Sequence, residues 1–136
     1  MRERMPRESK YKFWDKHNKV WVGPYTLKQL ADEDAFSSDR EWKAICSKWE
    51  CYESVEYTGL KDCKGQEIYE SDIVRINHPH DMTGDFTNAI GEVFWWNEEG
   101  GWYHGNGNGR PPKRMRKYAE VIGNIYENSE LLQKQD

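Results

Sequence analysis

No apolar run in this 136-residue chain is longer than four residues, and the longest is Val93-Phe94-Trp95-Trp96. A membrane-crossing helix needs about 20 apolar residues in a row, so the chain has no such segment. Short apolar runs bounded by polar and glycine-containing stretches predict many short strands. The core must also lean on aromatic rings. Leu, Ile, Val and Phe number only 22, and adding 7 Trp and 8 Tyr raises the large apolar-bodied set to 37. A formal net charge of −4 is too small for the high-charge signature of disorder. The length fits one small domain.

Residues 1–10 have mixed charge and no periodicity and read as a flexible tail. Residues 1–8 hold no apolar stretch, so a secretory signal is not expected. Tyr11-Lys12-Phe13-Trp14 and Val20-Trp21-Val22 flank a polar run and predict a hairpin. Gly23-Pro24 reads as a break. Thr26-Leu27-Lys28-Gln29 fits a capping box, with Leu27, Leu30 and Ala31 at helical spacing, and predicts a helix over 27–33. Trp42, Ile45, Cys46 and Trp49 share one helical face, so a turn or two of helix is expected at 40–48 and an alternating strand at 50–57. A turn-rich connection follows over 58–65. Strand patterns recur at 67–69, 72–76, 90–97, 102–103 and 121–126, separated by a polar loop at 77–89 and a glycine-rich stretch after 103. Asn128-Ser129 caps a last helical turn. Strands of this length and spacing suggest a small barrel or sandwich.

Cys46, Cys51 and Cys63 are odd in number and lack zinc-ribbon spacing, which favours free thiols in a reducing compartment. His78 and His80 flank Pro79, and with a cysteine they give a possible but weakly patterned metal site. The four histidines, His17, His78, His80 and His104, read as polar-loop residues without a nucleophile motif beside them. No catalytic, cofactor or metal residue is therefore assigned, and an enzyme is not expected.

Two features invite a partner. Five cations, Arg110, Lys113, Arg114, Arg116 and Lys117, crowd residues 110–117 and leave −9 on the other 128 residues. With Trp102 and Tyr103 they form a candidate nucleic-acid contact, or else a solvated loop. On the strand at 90–97, Val93 and Trp95 face one way, Phe94 and Trp96 the other. A sheet needs one apolar face for its core, so the other is left for the N-terminal region 11–57, the plainest occupant, or for a second copy or a foreign protein, which makes Phe94 and Trp96 a candidate protein interface.

Three pieces read together resemble a known family: residues 57–65, Glu67 through Val74, and Val121 through Asn128. With the aromatic opening at 11–15, they resemble the YopX family, small proteins of bacteriophages and prophages with no assigned biochemical function. The likeness is weak over 23–50 and 98–117. It departs at Ser71, where the family usually has Gly. The resemblance implies a mainly β or α+β chain, with a C-terminal SH3-like β-barrel preceded by a smaller α+β region. The expected division is tail 1–10, α+β region 11–56, barrel region 57–128 and terminal turn 129–136. Ile68, Val74, Ile76, Val93, Val121 and Ile125 are expected inside the barrel. The expected role is a non-catalytic module that binds a host or phage protein in the bacterial cytoplasm, with self-association possible. The alternative is nucleic-acid binding through 102–117. No membrane partner is expected.

Overall fold

The structure, a computed structural model, describes residues 9–31, 49–77, 87–105, 112–115 and 119–132. The chain is mainly β, with two antiparallel sheets, and divides into two units, Met1–Gly59 and Leu60–Asp136. Among the described residues no helix is long and apolar enough to cross a membrane.

In the first unit β1 (Lys10–Asp15) and β2 (Val20–Thr26) form the expected hairpin, with Trp14 opposite Trp21. Asp15 organises the polar turn. Its carboxylate accepts hydrogen bonds from the His17 and Asn18 amides at 3.0 Å and from Asn18 Nδ2 at 2.8 Å. The Asn18 N–H leads the causes that hold this carboxyl below its ordinary range. Gly23-Pro24 does not break the chain but lies within β2, joined by a cis bond. β2 is an edge strand, so the missing proline N–H costs no ladder bond on its open side. The capping box is present in both directions. Gln29 N donates to Thr26 Oγ1 at 3.1 Å and Thr26 N to Gln29 Oε1 at 2.7 Å, opening α1 (Leu27–Ala31). The helix expected at 40–48 lies outside the described residues.

β3 (Tyr52–Lys61) runs four residues past the predicted strand end. Gly59, at φ +84°, lies within the strand, where its glycine-marked sequence predicts a turn. The reversal instead occupies residues 62–66, before β4 (Glu67–Tyr69). The first sheet has the order β2-β1-β3-β4. Within the first unit, Phe13, Val22 and Tyr25 form a buried cluster with Tyr11, Leu30 and Tyr52 packed against it.

The second sheet contains β5 (Asp72–Asn77), β6 (Thr87–Trp96), β7 (Gly101–Gly105), β8 (Lys113–Arg114) and β9 (Ala119–Asn124), in the order β8-β7-β6-β5-β9. The closed barrel expected from the sequence is not found among the described residues, where β8 and β9 remain the two edges of an open sheet. One face is the core: Ile68, Val74, Ile76, Val93, Trp102, Met115 and Ala119 are buried together, with Val121 packed against them. Ile125 is only half-buried and stands outside this cluster.

Ser71 sits in the turn between β4 and β5 at φ +73°, in the left-handed region that favours glycine. Its backbone is held at both ends. Its N–H donates to Val93 O at 2.8 Å and its carbonyl accepts from Ile125 N at 3.0 Å. Left-handed strain costs a non-glycine residue about 1–2 kcal/mol, while glycine's extra unfolded freedom gives back about 0.5–1 kcal/mol. Ser71→Gly is therefore expected to stabilise the protein by roughly 0.5–1 kcal/mol. The readout is a higher urea midpoint at unchanged m-value, and an equal or lower midpoint contradicts the strain argument.

Candidate functional site

Antiparallel pairing of β6, β7 and β8 sorts the residues singled out above onto two faces. Val93 lies opposite His104, Phe94 opposite Tyr103, Trp95 opposite Trp102, Trp96 opposite Gly101, and Tyr103 opposite Arg114. Strand alternation therefore puts Val93, Trp95, Trp102, His104 and Lys113 on the core face. Phe94, Trp96, Tyr103 and Arg114 share the reverse face.

On that reverse face the rings touch one another. Trp96 meets Tyr103 edge-on, with centroids 4.9 Å apart and an interplanar angle of 76°. Phe94 lies 6.3 Å from Trp96 and 6.5 Å from Tyr103. Arg114 closes the cluster from β8. Its Cζ is 5.2 Å from the Tyr103 ring centroid, and its Nη2 donates to the Tyr103 hydroxyl at 3.3 Å. Gly101 makes room for it, since a Cβ there would meet Arg114 Nη1 at 2.9 Å. Two sites that the sequence reading kept apart are thus one patch. Phe94 and Trp96 came from the candidate protein interface, Tyr103 and Arg114 from the candidate nucleic-acid contact. Glu92 shares this face next to Phe94. Burial, then the charge of Glu70, pushes its carboxyl above the ordinary range.

The other candidate residues lie elsewhere. Trp102 is 7% exposed in the core cluster, where Trp95, 41% exposed, packs edge-on against it at 5.2 Å. Lys113 is half-buried beside the core face, and Arg110, Arg116 and Lys117 lie outside the described residues. His104 corrects its loop assignment. It is a β7 residue, 4% exposed, because alternation turns it inward two positions after Trp102. Burial, and then the Lys113 charge, lowers its pKa to about 4, so it is neutral at physiological pH. Among the described residues neither His104 Nε2 nor Trp102 Nε1 has a hydrogen-bond partner.

β8 is what the sequence reading missed. Two basic residues flanked by further cations give no strand signal, and only their pairing with His104 and Tyr103 reveals it. Cys51 is half-buried and Cys63 exposed, both as free thiols; Cys46, His78 and His80 fall outside the described residues. Among the described residues no three His, Cys, Asp or Glu side chains gather as a metal site would require.

These two antiparallel sheets, with an aromatic patch on the reverse face of the second, define a small β module. The family model described as "YopX protein" matches residues 10–133, and the chain belongs to the YopX family. The match runs through 23–50 and 98–117, where the sequence resemblance was weak. Among solved structures, the crystal structure of protein EF1440 from Enterococcus faecalis is similar, with 21% identity and a TM-score of 0.53, covering 91% of this chain and 97% of that one. At that identity the likeness is one of fold. No curated protein matches the chain.

Proposed function

We propose that this chain is a phage or prophage accessory protein that works without catalysis, binding a host or phage protein in the bacterial cytoplasm. The observation that carries the reading is that half-buried Phe94 and Trp96 and exposed Arg114 converge, over the buried Tyr103 ring, on the sheet face opposite the core cluster. Trp, Tyr and Arg are the side chains that dominate binding energy at protein interfaces. The strand order supports an SH3-like arrangement: β5 to β8 form a meander and β9 returns beside β5.

The same geometry favours a protein over a nucleic acid. Stacking a base needs an open ring face. Trp102 and Tyr103 are both buried, and Arg114 lies over the Tyr103 ring, whose other neighbour Trp96 approaches edge-on. Capture from host lysate tests the proposal when wild type and Trp96→Ala are compared side by side. A discrete protein retained by wild type and weakened on the order of 30-fold by Trp96→Ala is the expected result. Light scattering on the same two proteins shows whether the captured partner is a second copy. An identical captured set from both proteins, or tight Trp96-independent binding of DNA or RNA, overturns it.

A further inference from the structure

We infer that the aromatic patch recognises an acidic protein segment, with Arg114 receiving a carboxylate set next to an apolar anchor; this rests on the protein-binding reading above. Arg114 is exposed, yet its guanidinium has a fixed seat. It lies over the Tyr103 ring, donates once to the Tyr103 hydroxyl, and occupies the space that the missing Cβ of Gly101 leaves. A guanidinium carries five N–H donors in a planar fork. One is directed at Tyr103, and Arg114 makes no ion pair among the described residues. A planar fork held still, with donors to spare and apolar rings beside it, matches a carboxylate by geometry as well as charge.

Charge in the wider sequence points the same way. Residues 110–117 hold five cations in a chain that is otherwise −9. Lys113 and Arg114, adjoining on β8, put positive charge at this edge for an acidic segment to meet. Phe94 and Trp96, half-buried and adjoining, offer the apolar surface on which a Leu or Phe of that segment would rest.

A random 12-residue peptide library displayed on phage, selected against the full chain, tests this. Enriched peptides are expected to carry Asp or Glu beside Leu, Phe or Trp. Their affinity, read by fluorescence anisotropy, is expected to fall on the order of tenfold in Arg114→Gln. Arg114→Lys keeps the charge but loses the fork, and Gly101→Ala keeps the arginine but fills its seat. Both are expected to weaken binding severalfold. The Gly101→Ala clash falls on the far end of a flexible side chain, so the variant folds and isolates the seat from the charge. Enriched peptides that need Trp96 but carry no acidic residue, or that bind Arg114→Gln equally well, overturn the inference and leave the protein-binding reading standing. If no peptide is enriched, the inference falls, and the lysate comparison of wild type with Trp96→Ala decides the protein-binding reading separately. If a fluorescent 20-mer of dT binds more tightly than any peptide and depends on Arg114, the cation serves phosphate and the inference is overturned.

Discussion

Asp62→Ala is expected to destabilise the protein by about 3 kcal/mol, seen as a lower urea midpoint. The Asp62 carboxylate is 7% exposed and accepts three backbone N–H groups: Lys64 at 2.9 Å, Gln66 at 2.8 Å and Val121 at 3.1 Å. The first two close the 62–66 reversal; the third ties that reversal to β9, 59 positions away. Alanine would leave all three donors without their acceptor, and water can replace it only at the exposed turn. Asn is a poorer rescue than its shape suggests, because its NH₂ group would face a backbone donor.

The same residue sets an acid limit. Burial raises the Asp62 carboxyl, but the N–H groups of Val121, Gln66 and Lys64, with the Lys64 charge, outweigh it and hold the net value below ordinary. A carboxyl lowered by folding gives stability that is complete above its unfolded value, near 3.9. That stability is lost as pH falls through the folded value. His104 acts earlier. Its unfolded form takes up a proton near pH 6.5, while the folded form resists until about 4, so stability declines across that interval. Acid titration of the wild type should show both windows, and Asp62→Ala should show a smaller lower one, with the share of Asp15 and Glu120 remaining. An unchanged lower limb in the variant contradicts the assignment.

Gly91→Ala carries the second large effect, expected at about 2–3 kcal/mol. A Cβ at Gly91 would lie 2.8 Å from Gly105 N and 3.0 Å from both its C and Cα. Every clashing atom is backbone, so relief requires β6 and β7 to part. These are the strands that align Phe94 with Tyr103, so the variant should also weaken whatever the patch binds. Chemical denaturation supplies the first measurement and peptide anisotropy the second. Wild-type stability in Gly91→Ala would show that the strands are not so closely held.

Much of this frame was readable from residue order, and for local reasons. The capping box at Thr26 and Gln29, and the aromatic runs flanking Asp15, involve residues at most a few positions apart. Ile68, Val74, Ile76 and Val93 are aliphatic at strand spacing, and all are buried. Inward-facing Trp102 and His104 were harder, because strand direction is set by a pairing partner and both side chains look amphipathic or polar in sequence. The patch was legible only in halves. Phe94 and Trp96 follow from alternation along one strand, but their junction with Arg114 depends on β8, a two-residue strand whose signal lies in its partner. Barrel closure was not legible either: a strand list gives the number of strands but not whether the edges meet.

The tryptophans also give each unit its own optical reporter. Trp14 and Trp21 sit with centroids 5.1 Å apart in the first unit, and Trp95 and Trp102 at 5.2 Å in the second. Indoles this close and steeply inclined couple their excited states and produce a paired circular-dichroism band that vanishes when either ring moves away. Trp21→Phe and Trp95→Phe silence one pair each with little loss of bulk. Spectra of the two variants during denaturation then distinguish one concerted melting transition from two in succession.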